Sequence, residues 1–296
     1  TAFGRPYTWR PMIVVFATTA SVTQGLQSIF GKPGPEAQTL AATRSGSFER
    51  SSTLVAIQVN WSKIKESKPI TTIRHELTHM MQRQIAPTTV VPRWFSEGTA
   101  ELEEFTVPGS DYRANEARYG AASMAATGEL FSIGELTSLT QWRALAGTPM
   151  SGHYKQAAQM AQLIRDDIGG AGLLRIYDLM GQGETFGQAY LAVSGRSLAT
   201  FSATFAARIK ALAPAYPGIA TATDSPAGPG LAYLLYGFTP GSSVTVSISG
   251  AGRNNSTETV NAYGVYSTYL GSSWPAGAYR ITATGPNGTA TVTAVK

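Results

Sequence analysis

A change of texture near residue 213 limits the fold of this chain more than any other feature. Upstream, apolar residues recur at three- and four-residue spacing, the pattern of amphipathic helices. Downstream, helix formers nearly vanish. The segments "LAYLLYGF", "SVTVSIS", "TETVNAY", "VYSTYL", "AYRITATG" and "TATVTAV" alternate apolar and polar residues, with turn residues between them. Such short strands close together predict an antiparallel two-sheet sandwich over 230–296. The stretch "APAYPGIATATDSPAGPG" lies between the two textures. Its Pro, Gly and Ala content reads as a linker over 213–229. A linker of that kind predicts that residues 1–212 form an independent unit, able to act without the sandwich.

The first part of the chain divides again. "RPMIVVFATT" and "STLVAIQVNW" are short and rich in β-branched residues, so both read as strands. The second is well placed to be a sheet edge. Between them lies a stretch broken by Gly, Pro and Ser, and residues 1 to about 62 therefore read as a small β-rich lobe. From about 63 to 212 the signal is helical. Helices are predicted over 71–86, from Arg93 through "RWFSEGTAELEEF", and over 111–127, 151–168, 172–181 and 197–211. Pro87 stops the first of these, and the Gly pair of "RDDIGG" caps the 151–168 helix. The fold class is thus α+β followed by an all-β sandwich.

Composition excludes several kinds of chemistry. Cysteine is absent, so disulfides, thiolate metal sites and cysteine nucleophiles are ruled out. The net charge is +5, but the Lys and Arg residues are scattered rather than clustered, which argues against a nucleic-acid partner. No apolar run approaches the length of a membrane helix. Charged residues are only 14% of the chain, against about 25% in an average soluble domain. Ser, Thr, Gly and Ala take their place, a composition that points to a secreted or cell-surface protein. The chain opens at Thr1 with no signal-like segment, and it reads as a mature or trimmed form.

The chemistry concentrates in "ITTIRHELTHMMQRQ", residues 70–84. A chain with only three histidines places two of them, His75 and His79, four residues apart with Glu76 between. On a helix these two imidazoles share one face and can close on a single ion. At the chain's own His and Glu frequencies, chance yields the pattern about once in a thousand such sequences. A catalytic zinc needs a third protein ligand and an open position. The metzincin pattern would put a glycine and then a third histidine where Gln82 and Ile85 stand, so that class is excluded. The second helix supplies Glu97 instead. Glu101 lies one turn on and can hold the distal nitrogen of a ligating histidine, while Glu103 and Glu104 read as solvated.

"HELTHMM…PRWFSEGTAELEEF" resembles the gluzincin metallopeptidases, specifically the bacterial peptidase MA-like group related to the aminopeptidase N family and thermolysin. The likeness spans roughly residues 50–210. It implies a thermolysin-like zincin domain with Zn2+ on His75, His79 and Glu97, Glu76 as general base and Glu101 as the acidic residue behind a ligand. It also implies a donor to the developing oxyanion, for which Tyr154 is the first candidate and His153 the alternative. The aminopeptidase G-x-M-E-N motif is missing, and one residue fewer separates His79 from Glu97 than in that family. An endopeptidase acting on protein or peptide substrate is therefore expected. The terminal sandwich would be immunoglobulin-like. The alternatives are a metal-retaining scaffold working as a binding or adhesion module, and a zinc hydrolase of a non-peptide amide.

Overall fold

Our computed structural model describes residues 5–8, 10–43, 46–50, 55–60, 69–86, 91–107, 111–145, 151–213, 216–223, 230–271 and 273–296. In the N-terminal lobe the β-branched run becomes strand β1 (Met12–Phe16). Thr18 then caps helix α1 (Thr19–Ser28) in a reciprocal capping box with Ser21. Helix α2 (Gly34–Thr43) follows. Val22 and Leu26 of α1 pack on Ala37 and Ala41 of α2, with Phe16 against them. Gly25 permits that contact, because a Cβ there would lie 2.3 Å from the Phe16 ring. Strands β2 (Gly46–Arg50) and β3 (Val55–Asn60) complete a sheet of order β1-β3-β2, with β3 parallel to β1 and antiparallel to β2.

Two expectations are corrected in this lobe. It is not simply β-rich, since α1 and α2 stand where the sequence reads as a broken stretch. The α1 signal, an ST cap followed by Val22 and Leu26 one turn apart, is short and lies close behind a strand. Strand β3 is the middle strand rather than an edge, because β2 adds on its far side. Val59 of β3 is fully buried against Ile73 and Leu77, which seats the next helix on the sheet.

That helix is α3 (Pro69–Ile85), followed by α4 (Arg93–Glu104), α5 (Asp111–Thr127), α6 (Ile133–Thr137) and α7 (Leu139–Ala144). Helix α8 (Gly152–Gly181) spans the two helices expected there and breaks at Gly169, whose φ of 72° and ψ of 172° lie outside the helical region. Helices α9 (Phe186–Ser194) and α10 (Leu198–Lys210) close the lobe. Its core is aromatic: Trp94 and Phe95 of α4 meet Tyr177, Phe186, Tyr190 and Phe201. The N-terminal segment crosses this lobe, pairing Arg5 with Asp178 at 2.8 Å and the Thr8 amide with Gln84 at 2.8 Å.

The C-terminal part is β throughout: β4 (Gly218–Thr223), β5 (Leu231–Tyr236), β6 (Ser243–Gly250), β7 (Asn254–Thr259), β8 (Tyr266–Leu270), β9 (Ala278–Gly285) and β10 (Gly288–Val295). One sheet has the order β4-β5-β8 and the other β10-β9-β6-β7. The two share a core of Leu231, Tyr233, Val246, Ile248, Tyr279 and Ile281, so they form a sandwich. Strand β6 alternates buried and exposed residues as expected. Strand β4 is a correction, because it lies inside 213–229: Ile219, Thr221 and Thr223 suit a pleat once β5 offers its edge.

Strand β5 departs further from the expected alternation, being buried at five successive positions. Its second face is covered by α5. Met124 packs with Leu234, Tyr263 and Val265, and Tyr119 stacks on Tyr236 with ring centroids 3.8 Å apart. The sandwich is therefore docked on the helical lobe, not tethered to it. The chain is a mixed α+β protein, and no helix among the described residues is long and apolar enough to cross a membrane.

Candidate metal centre

Helices α3 and α4 bring the centre together because each is anchored on its far side. Met80 and Met81 of α3 are fully buried, as are Trp94, Phe95 and Ala100 of α4. Gly98 lets α4 approach α8 closely: a Cβ there would lie 2.2 Å from the Ala157 carbonyl oxygen. The polar faces of α3 and α4 are left looking at one another. Among the described residues, His75, His79 and Glu97 form a group that could hold a metal ion.

The three side chains converge through single atoms. His75 Nε2 lies 3.0 Å from His79 Nε2 and 3.2 Å from Glu97 Oε2, and His79 Nε2 lies 3.5 Å from Glu97 Oε1. A tetrahedral zinc site with bonds of about 2.0–2.2 Å has ligand atoms about 3.3–3.6 Å apart. The spacing is close to that. The distal nitrogens explain the protonation. His79 Nδ1 is 2.9 Å from Gln82 Oε1, and His75 Nδ1 is 2.8 Å from Glu104 Oε1. Both partners are acceptors, so a neutral imidazole with its proton on Nδ1 would turn the Nε2 lone pair inward, toward a cation. Glu97 is 2% exposed. With both imidazoles neutral, the three groups would offer electron pairs to one point in a dry site, an arrangement that favours a cation.

Charge at the centre follows from its neighbours. Burial alone would raise the Glu97 pKa, but the charges of His79 and Arg93 and hydrogen bonds from both histidines hold it well below the ordinary value. Arg93, one turn earlier on α4, contacts Glu97 Oε1 directly. Burial would likewise lower the His75 pKa, yet the carboxylates of Glu104 and Glu97 raise it well above the usual imidazole value. On the His79 side, Gln82 Nε2 donates to the Ser96 carbonyl at 2.9 Å and to Thr99 Oγ1 at 2.8 Å. The Thr99 hydroxyl meets the Tyr177 hydroxyl at 2.8 Å. Gln82 thus orients a histidine and ties α3 to α4. Its place three residues after His79, on the same helix face, was the signal available in the sequence.

On the His75 side the acidic residues are arranged differently from expectation. Glu104 is 5% exposed and so is not solvated. Lying two turns beyond Glu97, it shares that residue's face of α4. Glu101 Oε1 is 3.8 Å from His75 Nδ1, farther than Glu104. Burial and the neighbouring Glu104 charge push the Glu101 carboxyl up to about 8. Glu103 pairs with Arg74 at 2.6 Å, a further tie between α3 and α4.

Glu76 is buried, and among the described residues no hydrogen bond or ion pair engages its carboxylate. His153 and Tyr154 open α8. The His153 ring sits edge-on to Trp142 with centroids 4.7 Å apart, and burial lowers its pKa to about 4 against a smaller upward pull from Glu97. Tyr154 also stands edge-on to Trp142, at 4.9 Å. Burial, reinforced by the Glu97 charge, pushes its hydroxyl up to about 12, with Arg93 and His75 opposing. The Tyr154 phenol is therefore in the electrostatic field of the centre. Ser151, the residue before α8, has a left-handed backbone with φ of 51°. A cavity lined by Thr99, Leu102, Glu103, Arg165 and Leu173 contains none of the three converging residues.

In comparisons with known proteins, no family profile matches the chain and no curated protein matches its sequence.

Proposed function

We propose that this protein is a zinc-dependent peptidase of the gluzincin type, an endopeptidase acting on protein or peptide substrate outside the cell or at its surface. One observation carries the reading: two imidazole nitrogens and a buried carboxylate converge within 3.5 Å of one another, on helices joined in the H-E-x-x-H…E order. His75, His79 and Glu97 would hold the metal. Zinc there would supply Lewis acidity toward a carbonyl oxygen and toward water. Glu76, on the same helix as the histidines and without a competing partner among the described residues, would take the proton of the attacking water and deliver it to the leaving amine. Tyr154, held beside the centre by Trp142, would donate its hydroxyl proton to the oxygen on which charge develops. The α+β arrangement, with a three-stranded sheet seated on the first ligand helix, supports a thermolysin-like catalytic domain. The order of the seven C-terminal strands supports an immunoglobulin-like sandwich.

Metal analysis of protein purified without a His-tag should find one zinc per chain. Casein cleavage should be abolished by a chelator and restored by zinc. Glu76→Gln keeps the shape but cannot accept a proton at neutral pH. It should retain zinc and fold while losing several orders of magnitude in turnover. A wild type that holds zinc but cleaves nothing would instead favour a binding module.

A further inference from the structure

We infer that Glu104 and Arg113 form a clamp that fixes His75 for metal binding, a role the four-residue spacing would have given to Glu101. The inference rests on His75 being a metal ligand. Glu104 reaches His75 Nδ1 at 2.8 Å through one carboxylate oxygen. Its other oxygen contacts the guanidinium of Arg113, from helix α5. The carboxylate is therefore held from two elements, with one oxygen left for the imidazole. One turn along α5, Glu116 pairs with Lys155 of α8 at 3.0 Å, which ties the helix carrying Arg113 to α8. A carboxylate fixed in this way accepts the Nδ1 proton, sets the tautomer with Nε2 facing the metal, and makes that nitrogen more basic. Glu101 is farther from Nδ1, at 3.8 Å, and no ion pair ties its carboxylate to Arg113 among the described residues.

Two readouts test the clamp, and neither depends on peptidase activity. The first is zinc affinity, measured by competition with a chromophoric chelator. Glu104→Gln should weaken zinc about 10- to 100-fold, the scale for losing a partner behind a metal ligand. Arg113→Met should weaken it in the same direction and Arg113→Lys should recover most of the loss. Glu101→Gln should change it less than either. The second readout is the His75 tautomer in the metal-free protein, from the nitrogen chemical shifts of labelled imidazole. Read at alkaline pH, where the imidazole is neutral, it should be the Nδ1–H form in the wild type and mixed in Glu104→Gln. A folded Glu104→Gln protein with wild-type zinc affinity and an unchanged tautomer would overturn the clamp, as would Glu101→Gln producing the larger loss. If Glu104→Gln fails to fold, the contrast between Arg113→Met and Arg113→Lys decides, equal affinities counting against it. A wild type that binds no zinc would defeat the peptidase reading. The tautomer shift would still report on the clamp by itself.

Discussion

Single residues at this centre do several jobs at once, and their variants should separate those jobs. Tyr154 is both a packing surface against Trp142 and a phenol in the field of Glu97. Tyr154→Phe keeps the ring and removes only the hydroxyl. Turnover should fall roughly 10²- to 10³-fold, the scale for one oxyanion donor, with zinc content and fold unchanged. Steady-state kinetics on a small peptide would check this, and a Phe variant with full kcat would exclude the role. His153 makes a pH prediction. Its folded pKa of about 4 is depressed from 6.5 by burial. The unfolded chain therefore binds the proton more readily. The stability it contributes is complete above about 6.5 and is lost as pH falls toward 4. Urea denaturation across that window should show a shallower pH slope in His153→Gln than in the wild type. The motif residues were readable because H-E-x-x-H is local, its geometry set by one helix. Glu104 was not, since its partner lies on another helix and its second contact on a third.

At the level of elements, the decisive contact is α4 against α8. A helix that carries the proposed metal ligand Glu97 must be held against movement. α4 achieves this with Trp94, Phe95 and Leu102 buried and with Gly98 at the crossing. Gly98→Ala should therefore do more than its small volume suggests. Its methyl would meet the Ala157 carbonyl, backbone that cannot turn aside. A cost of about 1–3 kcal/mol is expected for such overpacking, read from the urea midpoint at constant m-value. Zinc affinity should fall alongside it, because Glu97 is the adjacent residue. Helices α3, α4, α5 and α10 were legible from periodicity and stops. The short helices α6 and α7 were not, since five or six residues are too few to establish a helical period. Helix α9 was missed for another reason: its apolar residues run almost continuously, leaving no polar face to mark the period.

Across the whole molecule, the helical lobe and the sandwich share one apolar interface rather than a flexible joint. Met124, Tyr119 and Phe131 on one side meet Leu234, Tyr236 and Val265 on the other. The Tyr263 hydroxyl comes within 3.4 Å of where a Cβ on Gly152 would stand, at the start of α8 and directly before His153 and Tyr154. Residues 1–212 alone should therefore be less stable than the full chain and prone to aggregate, contrary to the independence that the linker composition suggests. A subtler probe is Leu234→Ala, at a fully buried position, expected to cost about 2–5 kcal/mol. If the lobes unfold together, the loss should appear in a single calorimetric transition. Two transitions, with only the later one shifted, would restore the two-unit picture. By itself the sequence determined what depends on near neighbours: the helix carrying His75, Glu76 and His79, the helix carrying Glu97, and the alternating strands of the second half. Tertiary structure alone decided that β3 is central, that β4 is a strand, and that Glu104 stands behind His75. It also decided that the sandwich closes over α5. Each of these depends on which distant segment supplies the second face, edge or partner. The one local trace was the unbroken apolar run of β5, buried on both sides because two layers cover it.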